Sequence, residues 1–517
     1  MKKYTADFET CTWLKDETYV WAWAICEIGS EKIEIGNNIG SFMEFCENSN
    51  NSVFYFHNLK FDGEFIIWWA LNNGYKHIKE KTEIEDNTFS TLISDLGQFY
   101  QITIYFKKGN KKVKKVTFYD SLKIIPFSVE QIAKSFNLEI SKLSIDYNLF
   151  REKNHILTKE EEDYIKNDVL IIAKALNVIF SEKLTKMTQG SNALSDYKNI
   201  INQMKFKRLF PELGFDVDKE IRKAYKGGFT YLNPIYKNKD VENVVNLDVN
   251  SLYPFCMRYK SMPVGMPEFY VGKYKNDVIF PLYIQMITCS FELKENKIPT
   301  IQIKGNNLYY KENEYLTSSN NQIVSLTLTN IDLDLFFEHY YVYDLEFICG
   351  YKFRSISGIF NEYIDKWTEK KVKATIEKNA GQRTLSKLML NSLYGKFATS
   401  LETKSKYPYL GDDNIVHYSF SEKEKKKGLY IPIGAFITSY ARELTIKSCQ
   451  KVTDYSLKKY GKDLFIYADT DSCKTLLPIE DLEQIFEIDD VKLGAWKNEG
   501  IAEKRKIHKT KMLYRKN

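Results

Sequence analysis

The sequence predicts a multidomain α/β protein. At 517 residues the chain is too long to close around a single hydrophobic core. Short apolar runs of strand length are interspersed with helical stretches. Carboxylates stand at the ends of strand-like runs in two separate groups, one around Asp7 and Glu9, the other around Asp248, Asp469 and Asp471.

Composition narrows the class. A hydrophobic content of 44% and a charged content of 27% describe an ordinary soluble globular chain. The net charge of +6 is mild for a nucleic-acid binder, but acids concentrated in sites and bases along grooves leave strong local fields under a small total. Eight cysteines are scattered without a Cys-x-x-Cys pair, which argues against zinc and suits a reducing compartment. Met1-Lys2-Lys3-Tyr4-Thr5-Ala6-Asp7 lacks the apolar run of a signal peptide, and Ile66-Ile67-Trp68-Trp69-Ala70-Leu71 is too short to span a bilayer. The expectation is a soluble intracellular protein with no membrane attachment.

In the N-terminal third, Asp7 and Glu9 lie two apart on a strand and project to one face. Alone, the pair better suits a solvent-facing strand edge; two close like charges otherwise call for a cation between them. Asp62 follows the run Val53-Phe54-Tyr55-Phe56, and Tyr164 and Asp168 share a helix face at i and i+4. Four carboxylates and a phenol are a set able to hold two metals and orient a water for attack on a phosphodiester. Asn58, Phe61, Ser121, Leu122 and Lys142 offer amide, ring, hydroxyl and ammonium groups of the kind that bind single strands, although Phe61 suits a core equally well.

Further along, Tyr225-Lys226-Gly227-Gly228 reads as a turn, or as a place where backbone must come close to something else. Val244-Val245-Asn246-Leu247 is a buried strand ending in Asp248, followed by Val249 and Tyr253. The stretch from Tyr259 to Gly358 holds several strand-like runs, such as the one from Val278 to Gln285, and is too long for a simple loop. Arg383, Lys387, Asn391 and Tyr394 fall on one helix face, where two cations a turn apart can grip a triphosphate and a ring can stack on a base. Tyr407 to Phe420 reads as a hairpin about Gly411-Asp412-Asp413-Asn414, with Ser421 to Lys427 as a charged tip. Leu464-Phe465-Ile466-Tyr467 is a strand that leads to Asp469 and Asp471 on one face.

These segments together resemble the family B DNA polymerases. Asp248-Val249-Asn250-Ser251-Leu252-Tyr253-Pro254, Lys387 to Gly395 and Tyr467-Ala468-Asp469-Thr470-Asp471-Ser472 look like motifs A, B and C, in that order. The N-terminal acids resemble the three motifs of 3′–5′ proofreading exonucleases, and the two insertions resemble those of the protein-primed subgroup found in small tailed bacteriophages. The resemblance implies an RNase H-like exonuclease domain plus a right-hand palm and fingers polymerase domain with two insertions. It divides the chain into exonuclease at 1–187, palm at 188–259, first terminal-protein region at 260–358, fingers at 359–398, second terminal-protein region at 399–431 and palm again at 432–517. It makes Asp248, Asp469 and Asp471 the polymerase acids, with Asp248 and Asp471 as direct metal ligands, and Asp7, Glu9, Asp62 and Asp168 the exonuclease ligands, with Tyr164 positioning the water. Val249, Tyr253, Arg383, Lys387, Asn391 and Tyr394 then bind nucleotide, and Tyr253 excludes a 2′-hydroxyl. Asn58, Phe61, Ser121, Leu122, Lys142, Tyr225, Gly227 and Gly228 bind DNA, joined by Lys511 and Tyr514 in a basic C-terminal run.

The implied cofactors are Mg²⁺ or Mn²⁺, two per active site. The implied partners are template and primer DNA, dNTPs and a terminal priming protein, with the chain acting as a monomer or as a heterodimer with that protein. The implied place is the cytoplasm of an infected bacterial host, and the implied work is protein-primed, strand-displacing replication of a linear phage genome with proofreading. The family pattern continues past Asn517 into the rest of the palm and a thumb. The competing expectations are therefore a truncated polymerase acting mainly as a 3′–5′ exonuclease, and a single-stranded DNA-binding relic.

Overall fold

The computed structural model describes residues 1–506 apart from 12, 15, 16, 50, 107–113 and 303–314. Lys511 and Tyr514 therefore lie outside the described residues. Two compact units emerge: Met1–Asp196 with Trp367–Met389 and Ser400–Lys426, and Tyr197–Lys366 with Leu390–Thr399 and Lys427–Asn517.

The first unit is built on an eight-stranded sheet in the order Ile33–Gly36, Val20–Glu27, Lys3–Thr10, Val53–Phe56, Lys114–Asp120, Phe99–Phe106, Thr88–Ile93 and Lys76–His77. Lys3–Thr10, Val53–Phe56 and Lys114–Asp120 run parallel at its centre. Strand alternation sorts the side chains of Lys3–Thr10. Tyr4, Ala6 and Phe8 pack against the helices Ile39–Asn48 and Leu59–Asn72. Thr5 faces the other way and donates to the Val169 carbonyl at 2.7 Å, on the helix Lys159–Ser181. That helix begins with a capping box, Thr158 Oγ1 accepting from the Glu161 amide and Glu161 Oε2 from the Thr158 amide.

The hairpin Lys406–Leu410 and Val416–Phe420 forms as the sequence leads one to expect. It rests on this sheet and the helix beside it. Tyr418 Oη donates to Glu64 at 2.6 Å, the Trp68 indole N–H to the Asn414 carbonyl at 3.2 Å, and the Asp95 amide to the Lys404 carbonyl at 3.0 Å. The expected charged tip at Ser421 to Lys427 is not a tip: Glu424–Lys425 returns to pair with Glu402–Thr403, and Gly411 to Asn414 make the turn. Lys370 is paired with Glu182 at 2.5 Å.

The second unit holds an antiparallel five-stranded sheet in the order Trp496–Lys506, Asp240–Val249, Ser472–Thr475, Phe465–Asp469 and Thr230–Leu232. A four-stranded antiparallel sheet, Ser261–Val271, Tyr340–Ser357, Leu282–Leu293 and Val324–Thr329, fills the stretch expected to be the first insertion. Its second strand starts at Leu282 and not at Val278: Pro281 cannot donate to a ladder, and Val278 is fully in solvent.

The helix Ile431–Tyr460 is the spine of this unit, buried on almost every side over its first three turns. Arg442 projects from it into a dry network. Nε and Nη2 donate to the two oxygens of Asp332 at 3.0 and 2.6 Å, Nη2 also to Ser439 Oγ, and Nη1 to the carbonyls of Lys226 and Gly227 at 2.8 and 2.7 Å. Every guanidinium N–H thereby has an acceptor. Replacing Arg442 by Met leaves Asp332 buried without its cation and lowers the stability of this unit by about 3–5 kcal/mol. The double variant Arg442→Met, Asp332→Leu recovers most of that loss; denaturant unfolding of both variants checks it.

Candidate active sites

In the first unit the sequence-predicted acids come together at the C-terminal ends of the parallel strands. Thr5 fixes the face of its strand, so Asp7 and Glu9 follow it toward Asp168, two turns of helix from the capping box. Asp62 sits in the first turn of Leu59–Asn72 and accepts from the Phe8 amide at 3.2 Å, which brings it to the end of the same strand. Asn58 makes this turn possible by adopting a left-handed backbone, φ 76°, and its amide donates to Asp120 at 3.0 Å.

The electrostatics record the crowding. Burial, then Asp168, pushes Asp7 up to about 7. Burial, then Asp7 and Asp168, pushes Glu9 up to about 9. Burial and Asp7 raise Asp62 well above the usual carboxylate range, and burial raises Asp168 against the pull of Lys142. Lys142 Nζ stands 2.9 Å from Asp168 Oδ2, while Asp168 Oδ1 is buried with no hydrogen-bond partner. Buried like charges and an orphaned carboxylate oxygen are groups that could serve as donors to a divalent cation. The set is not closed: among the described residues no three His, Cys, Asp or Glu side chains are gathered into a group that could hold a metal as it stands. Two of the oxygens are turned to the Phe8 amide and to Lys142 instead.

The remaining residues of this site divide. Tyr164 is buried, its hydroxyl 2.5 Å from that of Tyr147. Phe61 is 51% exposed, so its ring belongs to the surface and not the core. Leu122 is half-buried. Ser121 is fully buried, and its hydroxyl donates to the Phe56 carbonyl at 2.9 Å beside His57 Nδ1 at 3.0 Å. Ser121 thus holds the backbone before Asn58 rather than facing outward. His57 and Tyr147 are members of this cluster that sequence spacing did not reveal; His57 lies next to Asn58, but nothing local marks either.

In the second unit, Asp248 lies on the strand Asp240–Val249 and Asp471 in the turn just before the neighbouring strand Ser472–Thr475. Asp248 is paired with Ser472 in register, and the Val249 amide donates to the Asp471 carbonyl at 2.7 Å. Thr470 turns the chain between Asp469 and Asp471 with φ 58°, its amide donating to the Phe229 carbonyl at 2.7 Å and its carbonyl accepting from Thr445 Oγ1 at 2.7 Å. Asp469 is exposed and accepts from Thr230 Oγ1 at 3.0 Å. Gly228 is where the backbone comes close: an added Cβ would lie 2.7 Å from Thr470 Oγ1. Neither Gly227 nor Gly228 has a positive φ, so close approach, not unusual dihedrals, is what the pair supplies. Tyr225 lines a cavity of about 530 Å³ with Gly227, Gln302 and Arg442.

Tyr253 follows Ser251, which caps the helix Leu252–Tyr259 in a left-handed conformation, φ 54°. Its ring stacks on Tyr394 with centroids 4.0 Å apart and planes at 25°. Burial, then the Tyr394 phenol, pushes the Tyr253 hydroxyl up. The helix Ala380–Ser392 exposes Arg383, Lys387 and Asn391 on one face and buries Leu385 and Met389 on the other. It stops before Tyr394, which begins a separate short helix, Tyr394–Phe397. Arg383 and Lys387 belong to the first unit, Asn391 and Tyr394 to the second.

The sequence model of the DNA polymerase type B family, organellar and viral, matches residues 44–476. The DNA polymerase of Bacillus phage Nf is 45% identical over 512 residues, covering 99% of this chain and 86% of its own. The structure of phi29 DNA polymerase complexed with primer-template DNA and incoming nucleotide substrates matches with a TM-score of 0.89 at 42% identity, over 98% of this chain and 86% of that one. Phi29 DNA polymerase complexed with single-stranded DNA matches with a TM-score of 0.89 at 41% identity, over 98% and 85%. The fold is therefore the expected one, an exonuclease domain with a palm and fingers polymerase domain. The chain belongs to the organellar and viral type B DNA polymerases, and among them to the phi29-like bacteriophage enzymes.

Proposed function

We propose that this DNA polymerase extends a primer along a DNA template with dNTPs and removes mispaired 3′ ends at its N-terminal site. The observation that carries the reading is the pairing of Asp248 with Ser472, which sets Asp471 beside it, tied by the bond from the Val249 amide to the Asp471 carbonyl. The phi29 enzyme bound to primer-template DNA and nucleotides supports DNA and dNTPs as the partners. Initiation on a terminal protein, strand displacement and a place in the cytoplasm of an infected bacterium belong to the same reading and rest on the two insertions.

Asp248 and Asp471 would hold Mg²⁺ or Mn²⁺ in the polymerase site, with Asp469 beside them, and Asp7, Glu9, Asp62 and Asp168 would hold it in the nuclease site. When bound, two ions per site supply charge stabilisation to the attacking and leaving oxygens. The chain's own residues do the rest. Arg383 and Lys387 bind the triphosphate, and Asn391 lies on the same face. The stacked rings of Tyr253 and Tyr394 form a floor under the sugar and base that leaves no room for a 2′-hydroxyl. In the nuclease site Tyr164 orients the water, Lys142 steadies the scissile phosphate, and Phe61, Asn58 and Leu122 receive the unpaired strand, with Ser121 bracing them from below.

Primer extension tests this. Asp471→Ala lowers incorporation by about 1,000-fold or more, the scale of several kcal/mol of lost charge stabilisation, and leaves single-strand degradation intact. Incorporation that Asp471→Ala does not touch would overturn the assignment. Asp7→Ala with Glu9→Ala gives the converse pattern, with synthesis kept and degradation lost.

A second outcome concerns the nuclease acids as cation ligands. Saturating Mg²⁺ raises the melting temperature of the first unit by roughly 5–10 °C, since a ligand at about 100 times its Kd contributes about 2.7 kcal/mol. The shift disappears in the Asp7→Ala, Glu9→Ala variant, which in EDTA melts above the parent because two crowded carboxylates are gone.

A further inference from the structure

The Tyr164 phenol is held from outside its own helix. Its hydroxyl meets that of Tyr147 at 2.5 Å, with the rings at 88°. Tyr147 comes from the stretch between the helices Val129–Ser135 and Lys159–Ser181, which contains no helix or strand of its own. Such a stretch cannot place a hydroxyl to within a hydrogen bond unless something fixes its backbone.

Arg151 is that fixture. It is 2% exposed in a segment whose neighbours Leu149 and Phe150 are 57% and 64% exposed. Nη1 donates to the carbonyls of Asp146 at 3.0 Å and Leu149 at 2.9 Å, the residues that bracket Tyr147 and Asn148. Nε donates to Glu161 Oε1 at 2.5 Å, on the helix that carries Tyr164 one turn later. The guanidinium lies 4.4 Å over the Trp21 ring, with the Trp13 ring 5.9 Å away on another side. The Arg151 carbonyl accepts from Tyr19 Oη at 2.6 Å, and the other oxygen of Glu161 takes His155 Nε2 at 2.8 Å. One planar cation is thus bonded to both the loop and the helix whose phenols must meet.

We propose that Arg151 is a positioning residue of the nuclease site. It folds residues 146–151 against the helix Lys159–Ser181 and so delivers the Tyr147 hydroxyl to Tyr164. The role rests on the nuclease reading given above. Arg151 touches neither substrate nor any metal-binding carboxylate; it acts through Tyr147.

Arg151→Lys is the variant of choice. It keeps a buried cation for Glu161 and the indoles, but a single ammonium cannot reach Glu161 and both carbonyls in the fork geometry. On 5′-labelled single-stranded DNA it lowers kcat for excision between about 10- and 100-fold with KM changed less, the effect of a misplaced orienting group. Primer extension stays at the parental rate. Tyr147→Phe lowers excision similarly, and adding it to Arg151→Lys lowers the rate little further, because both changes remove one interaction. Glu161→Gln, which keeps an acceptor oxygen without the charge, gives the same split in smaller size and serves if Arg151→Lys melts below the assay temperature. A parent that degrades DNA and an Arg151→Lys variant that matches it would overturn the inference alone. So would full multiplicativity of Arg151→Lys with Tyr147→Phe. A parent that degrades no single strands would instead overturn the nuclease reading, and this inference with it.

Discussion

Carboxylates that repel one another in a place poor in water do not stay together unaided, and the first unit is organised around that difficulty. Desolvation raises all four acids, and repulsion from neighbouring carboxylates adds to it at Asp7, Glu9 and Asp62. A flexible scaffold would relax by letting them part. Here Asp7 and Glu9 are fixed by a strand hydrogen-bonded on both sides, and Asp168 by a long helix that is capped and bonded to that strand through Thr5. In the second unit the acids stand at the ends of inner strands of an antiparallel sheet, Asp469 in the open, and the geometry is kept by backbone bonds from Val249 and Thr470.

Both units solve the same supporting problem in the same way. A loop must be held against a helix without regular structure of its own, and a buried guanidinium does it by donating to loop carbonyls while pairing with a carboxylate elsewhere. Arg442 grips Lys226 and Gly227 and pairs with Asp332. Arg151 grips Asp146 and Leu149 and pairs with Glu161. Lysine cannot take this part, since it lacks a planar fork of five donors. The Arg442 clamp is continuous with the motif C turn, because Gly228 abuts Thr470 and Thr445 on the same helix holds the Thr470 carbonyl.

What was legible in the sequence was local and periodic. Asp7 with Glu9, Tyr164 with Asp168, and Asp469 with Asp471 are each fixed by a spacing that one strand, helix or turn converts into nearness. The hairpin at Tyr407 to Phe420 and the buried strand before Asp248 were legible for the same reason. The two clamps were not, since Arg151 and Arg442 derive their meaning from partners brought in by tertiary structure: Arg442 meets Asp332 across 110 residues. Ser121 carries a surface-binding motif but is turned inward by His57 and the Phe56 carbonyl. The end of Ser421 to Lys427 was misjudged because charge marks exposure but not direction, and a short pairing with Glu402–Thr403 costs a charged strand little. The break before Tyr394 is invisible to a period that fits both sides of it.

The hairpin has a consequence for how such a chain can vary. It is seated on the sheet and helix of its own unit, with Tyr418 on Glu64 and against Phe99, Tyr407 against His77, and the Asn414 carbonyl on Trp68. In sequence it belongs to the stretch between motifs B and C, yet its footing was laid more than three hundred residues earlier. Drift on one side of that seam must be answered on the other. A chimera that borrows the hairpin from a relative has to borrow the ground beneath it as well, so the portable part is a hairpin together with one face of a distant helix and the strands beside it.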